Sequence, residues 1–120
     1  MDGTLYFSSS ADNKIYKYTF NFENNTLGTL EALNVAPGIL NAPRGLAYQA
    51  SWKKILIANS ASNNIVILET DGTLVDTQMG FGKKPGQLYQ PTDIIVVSDN
   101  KYVIIDRKND RIQEMSMPTD

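Results

Sequence analysis

One short pattern occurs three times in this chain at nearly constant spacing. Asn13-Lys14-Ile15, Asn63-Asn64-Ile65 and Asp110-Arg111-Ile112 stand 50 and 47 residues apart. The register extends upstream, where Leu5-Tyr6-Phe7 matches Ile55-Leu56-Ile57 and Tyr102-Val103-Ile104. Farther back, Gly38, Leu40 and Pro43 recur 48 residues later as Gly86, Leu88 and Pro91. Each unit of such a repeat is one supersecondary element that cannot bury its apolar face alone, so neighbouring units must stack. Few architectures meet that demand at this period.

The stretch from Gly86 to Met115 shows what one unit contains. Pro91 lacks an N–H and suits the start of a strand. Ile94 to Val97 and Tyr102 to Ile105 are short apolar runs, rich in β-branched residues, of the kind that form buried strands. Ser98, Asp99 and Asn100 are turn formers between them. Asp106 to Asp110 is a polar turn whose carboxylate is expected to accept turn N–H groups. Arg111 to Met115 alternates in polarity and reads as a third strand. Short antiparallel strands at turn spacings of about ten residues predict an all-β unit.

Gly86, Leu88, Pro91, Asp106, Asn109, Arg111 and Ile112 together resemble the NHL repeat, with its Asp-x-x-Asn-x-Arg-Ile core. The stretch ILIANSASNNIVILETDG is similar also to the YVTN-type repeat of bacterial surface and periplasmic propellers. Both resemblances imply a β-propeller, built from blades of four antiparallel strands. Members of the NHL family act mostly as platforms for protein or RNA, and some relatives are enzymes.

The expected fold is therefore all-β: a partial β-propeller of about three four-stranded antiparallel blades. The blades are expected over about residues 4–34, 38–79 and 86–115. In the first, Thr4 to Ser8 and Lys14 to Phe22 are strands, no inner strand precedes Thr4, and the outer strand, Leu27 to Leu33, is weakened by Gly28. The second is complete, running through Arg44 to Gln49, Lys54 to Asn59, Asn64 to Thr70 and, after the Asp71-Gly72 hairpin signal, Thr73 to Gln78. Gly45 allows its inner strand a close backbone approach. The third lacks its outer strand, since Pro118 interrupts the short remainder. About ten strands follow, with no long helix. Phe7, Ile15, Leu46, Ile57, Ile65, Ile95, Ile104 and Ile112 are the expected core.

Composition removes several chemistries. Histidine and cysteine are absent, which excludes Ser-His-Asp and Cys-His catalysis, disulfides and thiolate metal sites from within this chain. The formal charge of −2 argues against a nucleic-acid surface. The loop basic residues Lys53, Lys54, Lys83, Lys84, Lys101, Arg107, Lys108 and Arg111 read as solvated charge. No apolar run reaches the ~18 residues of a membrane span. GFGKKPG at 80–86 lacks the phosphate-loop spacing and reads as a polar connection. Tyr48, Trp52, Tyr89 and Tyr102 are either a contact patch or, as aromatics in blades usually are, packing between sheets.

Asp106 and Asp110, with Asn59, Asn63 and Asn109, are oxygen donors of the type calcium takes, yet no D-x-[DN]-x-[DN]-G loop is present. Residues of this kind recur at turn positions between strands, which makes them structural turn residues, and no cofactor is expected. The propeller resemblance also implies a second possibility, a metal-dependent lactonase or esterase with its ion in a central channel. Channel or loop contacts would then come from Asn41, Arg44, Gln90, Thr92 and Asp93, of which Asp93 alone is acidic. The favoured expectation is a non-catalytic binding or structural module with a protein partner.

Propellers close with about four to eight blades. Three blades leave two apolar faces open, so the chain is expected to need further blades, from a longer chain or from a second copy that completes a six-bladed ring. A free, stable monomer is not expected.

Overall fold

The computed structural model describes residues 2–117; Pro118 lies outside the described residues. Eleven strands are present among them: β1 (Asp2–Ser9), β2 (Lys14–Asn21), β3 (Thr26–Leu27), β4 (Glu31–Ala32), β5 (Pro43–Gln49), β6 (Lys54–Asn59), β7 (Asn64–Glu69), β8 (Leu74–Gln78), β9 (Pro91–Ser98), β10 (Lys101–Asp106) and β11 (Arg111–Ser116). They form three antiparallel sheets in chain order. The first is β1–β2 with β3 and β4 both pairing β2, the second β5–β6–β7–β8, and the third β9–β10–β11. This is the expected succession of three blades, the first without an inner strand and the third without an outer one.

The extra strand has a local cause. The outer strand of the first blade is two fragments, because the chain leaves the ladder after Leu27 and rejoins it at Glu31. Gly28 donates its N–H to the Thr19 carbonyl at 2.7 Å. A Cβ at Gly28 would stand 2.9 Å from that same oxygen. The closeness that the glycine allows marks the break in the strand.

The hairpins form where the sequence supplies left-handed residues. Asn13, Asn63 and Asp110 have φ of 56°, 57° and 50° and close the turns before β2, β7 and β11. Asn and Asp tolerate that region better than other side-chain-bearing residues. Single 3-10 turns at Ser60–Ser62 and Arg107–Asn109 precede two of them. At the Asp71-Gly72 hairpin, Gly72 takes φ 104° and the Thr73 N–H donates to Asp71 Oδ1 at 2.9 Å. That hydrogen bond holds the Asp71 carboxyl below its ordinary range.

The middle blade is covered on both faces. Along β6 and β7, successive side chains point to opposite sides. Ile55, Ile57, Val66 and Leu68 join Ile15, Leu33 and Leu40 on one side. Leu56, Ala58, Ile65 and Ile67 join Leu88, Ile94, Tyr102 and Ile104 on the other. Ile15, Ile57, Ile65 and Ile104 are fully buried, as expected.

Other expected core residues are corrected. Phe7 is 37% exposed, Ile95 50% and Ile112 70%. Leu46 is only half-buried. All three exposed residues lie on end blades and face away from the middle one. In the β1–β2 ladder Phe7 pairs with Tyr16, one step from the Ser8–Ile15 pair, and so takes the side opposite Ile15. In the β10–β11 ladder Ile112 pairs with Ile105, one step from the Ile104–Gln113 pair. The repeat register holds; among the described residues no sheet covers the outward face of either end blade.

Candidate functional site

Two fully buried polar side chains organise the loops above the sheets. Asp106, at the end of β10, is 0% exposed. Its Oδ1 accepts the Tyr89 N–H at 2.7 Å. Its Oδ2 accepts from Asn109 Nδ2 at 2.8 Å, Arg111 Nε at 2.9 Å and Gln113 Nε2 at 3.3 Å. Burying a carboxylate is costly unless it is paired and hydrogen-bonded, and this one is both. Arg111 continues outward, donating Nη1 to the Lys83 carbonyl at 2.8 Å and Nη2 to those of Lys84 and Gln87 at 2.9 and 2.7 Å. Asn109 Nδ2 also reaches the Gly82 carbonyl at 2.8 Å. The glycine-rich 80–86 segment is thereby pinned from below.

Asn59 holds the same place in the middle blade with amide chemistry. Its Oδ1 accepts the Asn41 N–H at 2.6 Å, and its Nδ2 donates to the Ile39 carbonyl at 2.9 Å and to Asn64 Oδ1 at 3.1 Å. Neutral Asn59–Asn64 thus replaces charged Asp106–Arg111. The sequence places both pairs five residues apart, which was the available signal. That these residues form the buried hubs of the loops was not foreseen.

The five candidate contact residues lie on the inner strands β5 and β9 and in the loops that enter them. Those strands touch through Gly45, where a Cβ would lie 2.6 Å from Asp93 Cα and 2.7 Å from the Thr92 carbonyl oxygen. The expected close approach is therefore real, and it sets Arg44, next to Gly45, on the strand beside Thr92 and Asp93. Arg44 and Asp93 are exposed. Asp93 Oδ1 accepts the Ile94 N–H at 2.8 Å. Asn41 and Gln90 sit in the loops entering these strands. Asn41 donates Nδ2 to Ser62 Oγ at 3.2 Å and, with Asn13, Lys14, Leu33, Asn34 and Leu40, lines an open hollow of about 730 Å³. Gln90 donates its N–H to Asn63 Oδ1 at 2.8 Å.

As a donor set the five fit a divalent cation poorly. The one carboxylate already accepts a backbone N–H, and the neighbouring strand contributes a guanidinium. Among the described residues no group of three acidic or metal-ligating side chains comes together.

Much of the loop charge is engaged. Lys54 pairs with Glu69 and Lys101 with Glu114, both at 3.2 Å, and Lys108 lies over the Tyr89 ring at 5.2 Å from its centre. The aromatic residues are dispersed as well. Tyr102 is buried between the second and third blades, where its hydroxyl meets Gln78 Oε1. Burial, then the charge of Asp76, pushes the pKa of that hydroxyl up. Trp52 packs against the same core, Tyr89 meets Phe81 edge-on, and Tyr48 stacks on Tyr6. No helix among the described residues is long and apolar enough to cross a membrane.

No family model and no curated protein matches this chain. Solved structures do. An auxiliary nutrient binding protein from Bacteroides thetaiotaomicron superposes with a TM-score of 0.72 at 17% identity, over 91% of this chain and 33% of its own. Its counterpart from Bacteroides ovatus gives 0.70 at 17% identity over the same shares. A catalytically inactive virginiamycin B lyase from Staphylococcus aureus, solved with quinupristin, gives 0.66 at 22% identity over 98% of this chain and 39% of its own. The chain spans between a third and two fifths of these proteins. At these identities the likeness is one of fold, and the fold they share with this chain is the β-propeller.

Proposed function

We propose that this chain is a binding and structural module, an NHL-like β-propeller segment that joins further blades through its outward sheet faces and presents its loops to a protein partner. The observation that carries the reading is a pair of residues at one repeat position. Ile65 is 0% exposed under the third blade, and Ile112 is 70% exposed with no sheet over it among the described residues. Ile95 and Val97 extend the open face of the third blade, and Leu5, Phe7 and Phe22 stand open on the first. Apolar patches of that kind mark interfaces.

The NHL assignment is supported by the mutual bonding of Asp106, Asn109 and Arg111, which gives the Asp-x-x-Asn-x-Arg core a physical purpose: it anchors the loop ahead of the inner strand. Asn41, Arg44, Gln90, Thr92 and Asp93 are the proposed contacts for the partner, on a frame held rigid by those hubs. The nutrient binding proteins that share the fold are consistent with a binding role. No cofactor is needed for it. Asn59 and Asp106 are bonded as loop anchors; we assign the neighbouring Asn63 and Asn109 to the same framework and Asp110 to the turn before β11, and none of them to calcium.

Light scattering on the chain and on Ile112→Lys tests this. The chain is expected to associate at micromolar concentration, and the lysine variant to associate measurably less while keeping its β-sheet circular dichroism. Equal behaviour of the two proteins would overturn the reading of this face as an interface.

A further inference from the structure

Adjacent blades are joined by a recurring hydrogen bond. Asn13, in the last turn position before β2, accepts the N–H of Ala42 on its Oδ1 at 2.7 Å. Asn63, in the same position before β7, accepts the N–H of Gln90 at 2.8 Å. In both cases the acceptor belongs to one blade and the donor to the loop that enters the next.

The donors are alike too. Ala42 and Gln90 each precede a strand-opening proline and have φ of 49° and 52°. The right-handed helical region is disfavoured ahead of proline, and a left-handed residue with a side chain carries its own cost. The Asn side chain therefore fixes an otherwise unfavourable bend, and with it the angle at which the next inner strand arrives.

Asp110 is the third member of the series. It shares the left-handed backbone, with φ 50°, and closes the turn before β11. Its side chain is exposed and makes no hydrogen bond or ion pair among the described residues. Beside it Ile112 stands open where Ile65 is sealed.

We propose that Asp110 is the acceptor that seats a further unit of this repeat on the outward face of the third blade. The proposal rests on reading that face as an interface and names what meets it: a loop of the 38–43 or 86–91 kind, whose residue before proline offers its N–H to the carboxylate. A charged acceptor makes a stronger bond to that N–H than an amide does. A second copy of the chain fits less well, since both of its own loops of this kind are already seated on its Asn13 and Asn63.

The test extends the full chain by repeating residues 71–117 directly after Met117, which supplies the outer strand of the third blade and then a fourth unit. Amide hydrogen exchange is read at the appended copy of Gln90, with the original Gln90 as internal control. Asp110→Gly keeps the left-handed backbone and removes the acceptor; Asp110→Asn keeps an acceptor. The appended amide is expected to exchange about five- to tenfold faster in Asp110→Gly than in the parent or in Asp110→Asn. If the Ile112 methyl groups become shielded but that amide is insensitive to Asp110→Gly, the seat is refuted and the interface reading stands. If the appended unit leaves Ile112 exposed, both fall.

Discussion

The second and third blades are one unit in two settings. In the second, β6 and β7 carry unbroken apolar runs, Ile55 to Ala58 and Ile65 to Leu68, because a sheet lies against each face. In the third, β11 alternates, with Arg111, Gln113 and Met115 half-buried and Ile112, Glu114 and Ser116 exposed. The loop hub changes with the setting as well, from an amide pair to an ion pair. Burial in this fold is decided by the neighbouring blade and not by the residue's place within its own. Even the continuous apolar run of β9 is covered on one side alone, with Ile94 2% exposed and Ile95 50%.

That comparison can be broken most forcefully in the core. Ile65→Ala is expected to cost about 2–5 kcal/mol in denaturant melts of the dilute chain, by analogy with other buried truncations. Ile112→Ala, at the same repeat position, should stay within about 0.5 kcal/mol. Similar losses for the two would show that the end face is covered.

The hubs provide the next contrast. Arg111→Leu strips the cation from a fully buried carboxylate and should cost about 3 kcal/mol. Asn59→Asp places a carboxylate in the middle blade with no cation beside it and should destabilise by a similar route. Adding Asn64→Arg to Asn59→Asp should restore part of the loss, a coupling that a double-mutant cycle in urea would measure. Strict additivity would mean that the two hubs are not interchangeable.

The smallest contrast is between the turn acceptors. Asn63→Gly removes the hydrogen bond to Gln90 while keeping the backbone comfortable, and about 1 kcal/mol should go with it. Asp110→Gly removes no such bond from this chain and should be nearly neutral. Thermal melts of the two variants would compare them, and an equal loss from both would show that the turn and not the inter-blade bond is what matters.

The blades were legible from the sequence because periodicity survives without any knowledge of neighbours. Ile15, Ile65 and Asp110-Arg111-Ile112 gave the register, and Gly45 gave the close approach of the inner strands. Three of the eight expected core residues, Phe7, Ile95 and Ile112, were misplaced in solvent-free surroundings because an apolar residue in a strand does not say whether anything lies across from it. The loop hubs were half legible. Asp106 was seen as a turn acceptor, but three of its four donors are side chains, and its fourth bond reaches back to Tyr89 across the loop. Asn13 is legible as a repeat marker and Asn63 as a repeat marker and turn residue, but a bond to the following blade leaves no trace in local spacing. Strand position alone picks out Asn41, Arg44, Gln90, Thr92 and Asp93; it does not show that the N–H groups of Asn41 and Gln90 are taken up by Asn59 and Asn63.

The difference between a covered and an uncovered blade can be read from one pair of methyl signals. In a dilute, isoleucine-labelled sample, a soluble paramagnetic agent should broaden the Ile112 methyl resonance strongly and leave those of Ile65 and Ile104 sharp, and raising the protein concentration should shield Ile112. An Ile112 methyl as protected as that of Ile65 in the dilute chain would contradict the idea that the third blade ends in an open face.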